Sequence, residues 1–213
     1  MHVPDGMLPL PVTLAGYAAS AALVGFCIYK IKQRGDPRDD IPKAALLAAA
    51  FFSASLIQIP IPPASVHLVL GGLLGAVLGY FAFPAILVAL FFQAVMFGHG
   101  GLTTLGVNGI ILGLPALISA FVFRLYAKTP HPNKTRTALF GFTAGAGATA
   151  LSVAIFTLFL FYTIPAHLDA SLECSAIITL GLLHIPVIVV EGFVTAFIVL
   201  YLQKAKPHLL GSM

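Results

Sequence analysis

The sequence predicts an all-α integral membrane protein with seven transmembrane helices, an external N-terminus and a cytoplasmic C-terminus. Three observations carry this prediction. Of the 213 residues, 59% are hydrophobic and only 8% are charged. Mean hydropathy is +1.02, and residues 44–123 contain no Asp, Glu, Lys or Arg. A soluble domain carries about a quarter of its residues as charged side chains. The composition therefore excludes a soluble globular domain, a disordered chain, a coiled coil and a nucleic-acid-binding protein.

The spans are predicted from the apolar runs and the residues that interrupt them. A transmembrane helix takes about 20 apolar residues. The uncharged stretch is divided into four by Pro60, Pro62 and Pro63, by Pro84 and by the glycine-rich segment 98–109. The protein is predicted to be one membrane domain, 1–213, with a short terminal segment, 1–11, before the first span. Its seven spans are predicted near 12–31, 44–59, 66–82, 84–97, 109–127, 138–162 and 175–202.

The orientation follows from the distribution of basic residues. Lys and Arg concentrate in the cytoplasmic loops of membrane proteins. Seven spans place all eleven Lys and Arg on one side of the membrane, whereas Asp5, Asp169 and Glu173 fall on the other. Six or eight spans would break this partition. We therefore predict a multi-pass protein of the cell membrane whose basic side faces the cytoplasm.

Small residues recur at a spacing of four in two of the predicted spans. Ala44 and Ala48 share one helix face, and Gly71, Gly75 and Gly79 share another. Small residues at this spacing let two helix backbones approach closely in lipid. Two interpretations are open: packing inside the bundle, or a surface that docks another membrane protein.

Segment 1–11 is predicted to chelate metal, because its first two residues form a potential chelate. No basic segment precedes the first apolar run, and early prolines break any helix there, so we expect no secretory signal. Because His2 is large, Met1 is expected to be retained with a free amine. The amine, the His2 backbone nitrogen and the His2 Nδ1 then close adjacent five- and six-membered rings on a metal ion. Planar nitrogen ligands suit Ni(II) and Cu(II). A chance Met-His beginning is the alternative.

His67 is the predicted fourth ligand. It opens the third predicted span and, by the topology above, lies on the same side of the membrane as Met1. A histidine at the end of a span is commonly not a ligand. Its predicted closeness to His2 favours coordination.

Three segments resemble the substrate-binding component of energy-coupling-factor (ECF) cobalt/nickel transporters. They are MHVPDGMLP at residues 1–9, FGHGGLTTLGVNG at 97–109 and HIPVIVVEGFVTAFI at 184–198. The resemblance covers essentially the whole chain. It implies a seven-helix subunit of the prokaryotic inner membrane that captures Ni(II) or Co(II) near the external face. It also implies that Met1, His2 and His67 hold the metal.

The same resemblance implies the partners. These are a transmembrane coupling protein, a pair of cytoplasmic ATPases and, in many systems, a small accessory membrane subunit. The coupling face is expected on a helix with small residues four apart, which residues 44–54 match. The chain itself contains no Walker A pattern. Pro4-Asp5-Gly6 resembles the nickel type more than the cobalt type.

Other polar residues leave alternatives open. His99, Gln93 and Asn108 are candidates to surround the metal and orient its ligands, and loop packing is the alternative for His99. Glu191 and His184 share one face of the last predicted span. They serve either a structural role or a proton path.

Three functions remain in competition. The protein is predicted to be a metal-capture subunit without enzymatic activity, with the metal as its substrate and no cofactor. A secondary metal transporter driven through Glu191 and His184 is the alternative. An intramembrane metalloenzyme is disfavoured because no H-E-x-x-H motif is present.

Overall fold

The computed structural model describes residues 1–61, 64–127, 133–164 and 169–210, and these are nearly all helical. The α-helices of this part of the chain are α1 (Leu10–Lys32), α2 (Ile41–Leu56), α3 (Gly71–Leu78), α4 (Ala82–Phe97), α5 (Leu105–Ala127), α6 (Lys134–Tyr162), α7 (Ala170–Leu183) and α8 (Ile185–Ala205). Short 3-10 turns cover Pro37–Asp39, Gly79–Phe81 and Pro207–Leu210. An antiparallel hairpin of β1 (Gln58–Ile61) and β2 (Ala64–His67) joins α2 to α3, with Gln58 opposite His67.

The protein is a multi-pass membrane protein. Five helical stretches of the described residues are long and apolar enough to cross a bilayer. They are Leu10–Lys32, Gly71–Phe97, Leu105–Tyr126, Lys134–Tyr162 and Ala170–Ala205. Helix α2 has 16 residues, which is shorter than the roughly 20 that a perpendicular span takes. The count of seven spans and the orientation of the termini stay predictions.

The third and fourth predicted spans differ from the helices in two respects. Residues 66–67 belong to β2, and the helix begins only at Gly71, after Leu70 adopts a left-handed φ of 54°. The helix is next interrupted at Gly79, which likewise has a positive φ, of 58°. The sequence predicted this interruption at Pro84. Pro84 is the third residue of α4. A proline is tolerated there because the first-turn N–H groups have no partner within the helix.

The last predicted span, 175–202, contains a break that the apolar pattern did not show. Helix α7 ends at Leu183, His184 is the junction, and α8 begins at Ile185. Pro186 is the second residue of α8. Because proline has no backbone N–H, the α7 hydrogen-bond pattern cannot continue through this position.

Helix α3 lies at the centre of the bundle, and all eight of its residues are buried. A Cβ atom on Gly75 would lie 2.0 Å from the Ala116 carbonyl oxygen of α5. A Cβ on Gly72 would lie 2.4 Å from the Ala144 carbonyl oxygen of α6. The glycines of α3 therefore serve internal packing, which was one of the two interpretations of their spacing.

Helix α8 packs closely against α6 because α6 presents glycines to it. A Cβ on Gly141 would lie 2.7 Å from the Ala196 Cα, and one on Gly145 would lie 2.5 Å from the Glu191 carbonyl oxygen. Small residues permit this backbone approach. The contact fixes the part of α8 that carries Glu191.

Candidate metal centre

Val3 anchors the N-terminal segment inside the bundle. Its side chain is fully buried, and its backbone is held by two side chains at the start of α5. Asn108 Oδ1 accepts a hydrogen bond from the Val3 N–H at 2.8 Å, and Asn108 Nδ2 donates to the Val3 carbonyl at 3.0 Å. Thr104 Oγ1 donates to the same carbonyl at 2.6 Å. Asn108 therefore holds the main chain next to His2.

Asp5 fixes the segment a second time, outside the predicted spans. Its carboxylate accepts hydrogen bonds from the backbone N–H groups of Leu102 at 3.2 Å and Thr103 at 2.8 Å, and from the Thr103 hydroxyl. The Thr103 hydroxyl is the main cause that lowers the pKa of Asp5. A Cβ at Gly101 would lie 2.0 Å from Asp5 Oδ1. The glycine-rich segment therefore has no side chain where the terminal segment must approach.

The Met1 amine lies against His67, a histidine of the hairpin outside the candidate spans. Met1 and His67 are 8% and 5% exposed, and the amine nitrogen is 3.4 Å from His67 Nε2. His67 Nδ1 is 3.2 Å from the Leu68 carbonyl. With the proton on Nδ1 for this bond, Nε2 presents its lone pair towards Met1, as metal-binding histidines commonly do.

Burial keeps these nitrogens unprotonated. Desolvation lowers the pKa of the Met1 amine to about 5. Desolvation, followed by the nearby N-terminal charge, lowers the pKa of His67 to about 3. The pKa of His2 is also lowered, mainly by burial. A metal ligand must be deprotonated, and these groups already are at neutral pH.

Three imidazoles converge beside the amine. His2, His67 and His99 each offer a ring nitrogen, and these nitrogens all lie within 4.8 Å of one another. The His2 ring stacks on His67 with centroids 5.2 Å apart, and His99 meets His2 edge-on at 4.9 Å. Both ring nitrogens of His2 are buried and make no hydrogen bond to the described residues. An unsatisfied buried polar group costs about 1–3 kcal/mol, so the pocket suits a ligand that accepts nitrogen lone pairs.

Gln93 lies beside His2. Its side chain is fully buried, and its Nε2 donates to Ser55 Oγ on α2. Its amide lies near the His2 ring without forming a hydrogen bond of normal geometry to it. Gln93 Oε1 makes no hydrogen bond within the described part of the chain. The structure therefore places Gln93 next to the predicted ligand His2, whereas Asn108 contacts the backbone of the following residue, Val3.

Sequence reasoning missed one residue of this pocket. A cavity of about 310 Å³ is lined by Met1, His2, His67, His99 and His184, with Phe156 and Leu180 as apolar walls. From the sequence, His184 is predicted only to share a helix face with Glu191, and not to line the metal pocket. The His184-Ile-Pro186 sequence was the available signal, because a helix broken inside a membrane normally lines a cavity or lies within protein.

Glu191 holds the backbone that follows His67 in the chain. Its buried carboxylate accepts the backbone N–H groups of Val69 and Leu70, the latter at 2.9 and 3.0 Å. These residues form the turn between His67 and α3. Glu191 therefore holds the segment that carries His67.

Comparison with known proteins identifies the family. The family described as "cobalt uptake substrate-specific transmembrane region" matches residues 2–209. The chain belongs to the CbiM family. A relative in Haemophilus influenzae, named for metal transport, is 34% identical over 99% of this chain and 97% of its own length. The "fused nickel transport protein NikMN" of Rhodobacter capsulatus is 32% identical over 99% of this chain and 64% of its own length.

Other CbiM relatives carry the name of a second metal. A protein of Methanocaldococcus jannaschii, named for cobalt transport, is 30% identical over 99% of this chain and 90% of its own length. A crystal structure described as a transition metal transporter has a TM-score of 0.73 and 26% identity, and covers 96% of this chain and 93% of its own. The names of these relatives are those of transporters and not of enzymes.

Proposed function

We propose that this CbiM-family protein is the substrate-capture subunit of an ATP-driven ECF transporter that imports Ni(II), with Co(II) as the second candidate ion. The ion is held near the external face by the Met1 amine, the His2 backbone nitrogen, His2 Nδ1 and His67 Nε2. The supporting observation is a buried, neutral amine 3.4 Å from His67 Nε2, beside two unpartnered nitrogens of His2.

The donor set selects the ion. Met1 and His2 supply three nitrogens in one plane when the His2 amide is deprotonated, and His67 closes the square. Four planar nitrogens match Ni(II) and Cu(II), and they match Mg(II) poorly because it prefers six oxygens. Relatives named for nickel and cobalt transport support the choice.

ATP hydrolysis would be supplied by other chains. The sequence has no Walker A pattern, so the proposal requires a transmembrane coupling protein, cytoplasmic ATPases and, in some assemblies, an accessory subunit. Ala45 and Ala49 of α2 are exposed and line an apolar groove with Phe92 and Met96 of α4. This groove is where we expect the coupling protein to pack in the prokaryotic inner membrane.

The visible absorption spectrum of the Ni(II)-loaded protein tests the donor set. Square-planar Ni(II) with four nitrogens gives a yellow, low-spin species, whereas hydrated octahedral Ni(II) absorbs only weakly. We expect one equivalent of the yellow species in the wild-type protein and its loss in His67→Ala. Thr195→Val is the control, since Thr195 is fully buried and its hydroxyl makes no hydrogen bond to the described residues. A yellow species unchanged in His67→Ala would overturn the proposed ligand set.

The pH dependence of binding has a sign and a slope. The pKa of the Met1 amine is lowered to about 5 and that of His67 to about 3, so both groups are already neutral above about pH 6. Binding then releases only the His2 amide proton. We expect the apparent Ni(II) affinity to rise about tenfold per pH unit between pH 6 and 8. Below about pH 5 the slope should steepen as the amine takes up a proton.

A synthetic peptide of residues 1–9 is the control for this slope. Its amine and imidazole keep ordinary pKa values near 8 and 6.5, so it must release additional protons over the same range. Chelator competition at several pH values measures both. A slope near zero in the protein would exclude the amide ligand, and a slope equal to the peptide's would show that the pocket does not preset the protonation state.

A further inference from the structure

We propose that His184 is the ligand of a second, weaker position for the same divalent ion, through which the ion passes to or from the planar site. This inference rests on the proposed function, and its tests are chosen to fail separately. The ligand is a partly hydrated transition-metal ion that takes one imidazole nitrogen from the protein and keeps water molecules in its other coordination positions.

The first observation is the position of His184. It is 2% exposed and lines the same cavity of about 310 Å³ as Met1, His2, His67 and His99. An ion in this cavity therefore has both His184 and the proposed planar ligands among the residues around it.

The second observation is the orientation of the His184 ring. Its Nδ1 lies 2.7 Å from the Leu180 carbonyl oxygen one turn earlier in α7, so Nδ1 carries the proton and Nε2 keeps its lone pair. Nε2 makes no hydrogen bond to the described residues. A neutral histidine fixed at one nitrogen by a backbone carbonyl is the form in which imidazole binds metals.

The third observation separates His184 from the planar site. The group of ring nitrogens that lie within 4.8 Å of one another consists of His2, His67 and His99, and it does not include His184. His184 therefore defines a neighbouring position, which fits a low-spin planar ion that has no strong need of a further ligand.

The local fold explains why the His184 ring lies beside the cavity. His184 is the junction between α7 and α8, where Pro186 prevents a continuous helix. Helices interrupted within the membrane place ion-binding groups beside cavities in many transporters. Phe156 and Leu180 line the rest of this wall and offer no competing donor.

Two substitutions of His184 separate a ligand from a structural residue. His184→Asn retains an N–H that can reach the Leu180 carbonyl and lacks the distal nitrogen. His184→Gln keeps a donor atom near the Nε2 position and loses the Leu180 bond. We expect the asparagine variant to form the yellow Ni(II) species at least tenfold more slowly in stopped-flow mixing, with an unchanged final amplitude, and the glutamine variant to be less affected. Normal kinetics in His184→Asn, or a larger defect in His184→Gln, would overturn the proposal.

Equilibrium dialysis with Ni(II) detects the second position without the planar site. His2→Ala/His67→Ala, which lacks both imidazole ligands of the planar site, should retain one weakly bound equivalent. Adding His184→Asn to this variant should abolish that binding, whereas adding Thr195→Val should not. Equal binding by all three variants would overturn the inference. If the wild-type protein never forms the yellow species, the proposed planar site fails, and the dialysis comparison still decides whether His184 binds the ion.

Discussion

A formyl group retained on Met1 is expected to lower the affinity for Ni(II) more than about a thousandfold, equivalent to about 4 kcal/mol. The formylated nitrogen is an amide, and the five-membered chelate ring loses its neutral amine. Met1 is 8% exposed and its nitrogen faces His67 at 3.4 Å. Among the described residues, no lysine lines this cavity to take its place.

Formylation is the sharpest form of this test because it adds only one carbon and one oxygen. Protein expressed with and without inhibition of deformylation has the same sequence, and mass spectrometry gives the formylated fraction. Chelator competition then measures affinity, and thermal unfolding without metal shows whether the terminal segment stays anchored by Val3 and Asn108. Equal affinity of the two forms at equal stability would remove the amine from the site.

Adding one residue before Met1 tests the same chelate in a different way. A chain beginning X-Met1-His2 has a terminal amine, two backbone amides and the His2 imidazole in successive chelate rings. Such a chain can supply four planar nitrogens by itself. We therefore expect any Ni(II) binding in the extended protein to be independent of His67, whereas binding in the wild-type protein requires it. A double-mutant cycle between the extension and His67→Ala measures this difference as a coupling energy.

The chelate could be predicted from the sequence because its chemistry is local. Two adjacent residues, Met1 and His2, fix three donor atoms through covalent geometry alone. The approach of His67 required only that both ends lie on the same side of the membrane. The structure brings these groups together at 3.4 Å, and their role as metal ligands stays a prediction.

The supporting contacts could not be predicted because they depend on packing between distant segments. Asn108 binds the Val3 backbone across 105 positions of sequence, and no pattern in either segment specifies that pairing. The helix is interrupted at Gly79 and not at Pro84, because Pro84 lies in the first turn of α4, where a backbone N–H has no partner within the helix. His184 lines the cavity from the junction between α7 and α8, and the apolar pattern of the last predicted span did not show that junction.

Glu191→Gln is expected to weaken Ni(II) binding by about 10–100-fold, the range seen when groups that orient metal ligands are removed. The carboxylate accepts the N–H groups of Val69 and Leu70. A glutamine offers one acceptor and turns an N–H₂ group towards Leu70, which has only an N–H to offer. The turn that places His67 should then relax, and Leu70 should leave its left-handed conformation.

This substitution also separates the two transport mechanisms. If Glu191 were part of a proton path, Glu191→Gln would abolish transport and leave the equilibrium affinity for Ni(II) unchanged, because the metal ligands would not move. If Glu191 positions His67, affinity falls and the stopped-flow dissociation rate rises in the isolated subunit, with no gradient present. Thr195→Val, one turn further along α8, should change neither quantity. A fall in Ni(II) affinity would therefore identify Glu191 as a structural support for His67, whereas an unchanged affinity with lost transport would identify it as part of a proton path.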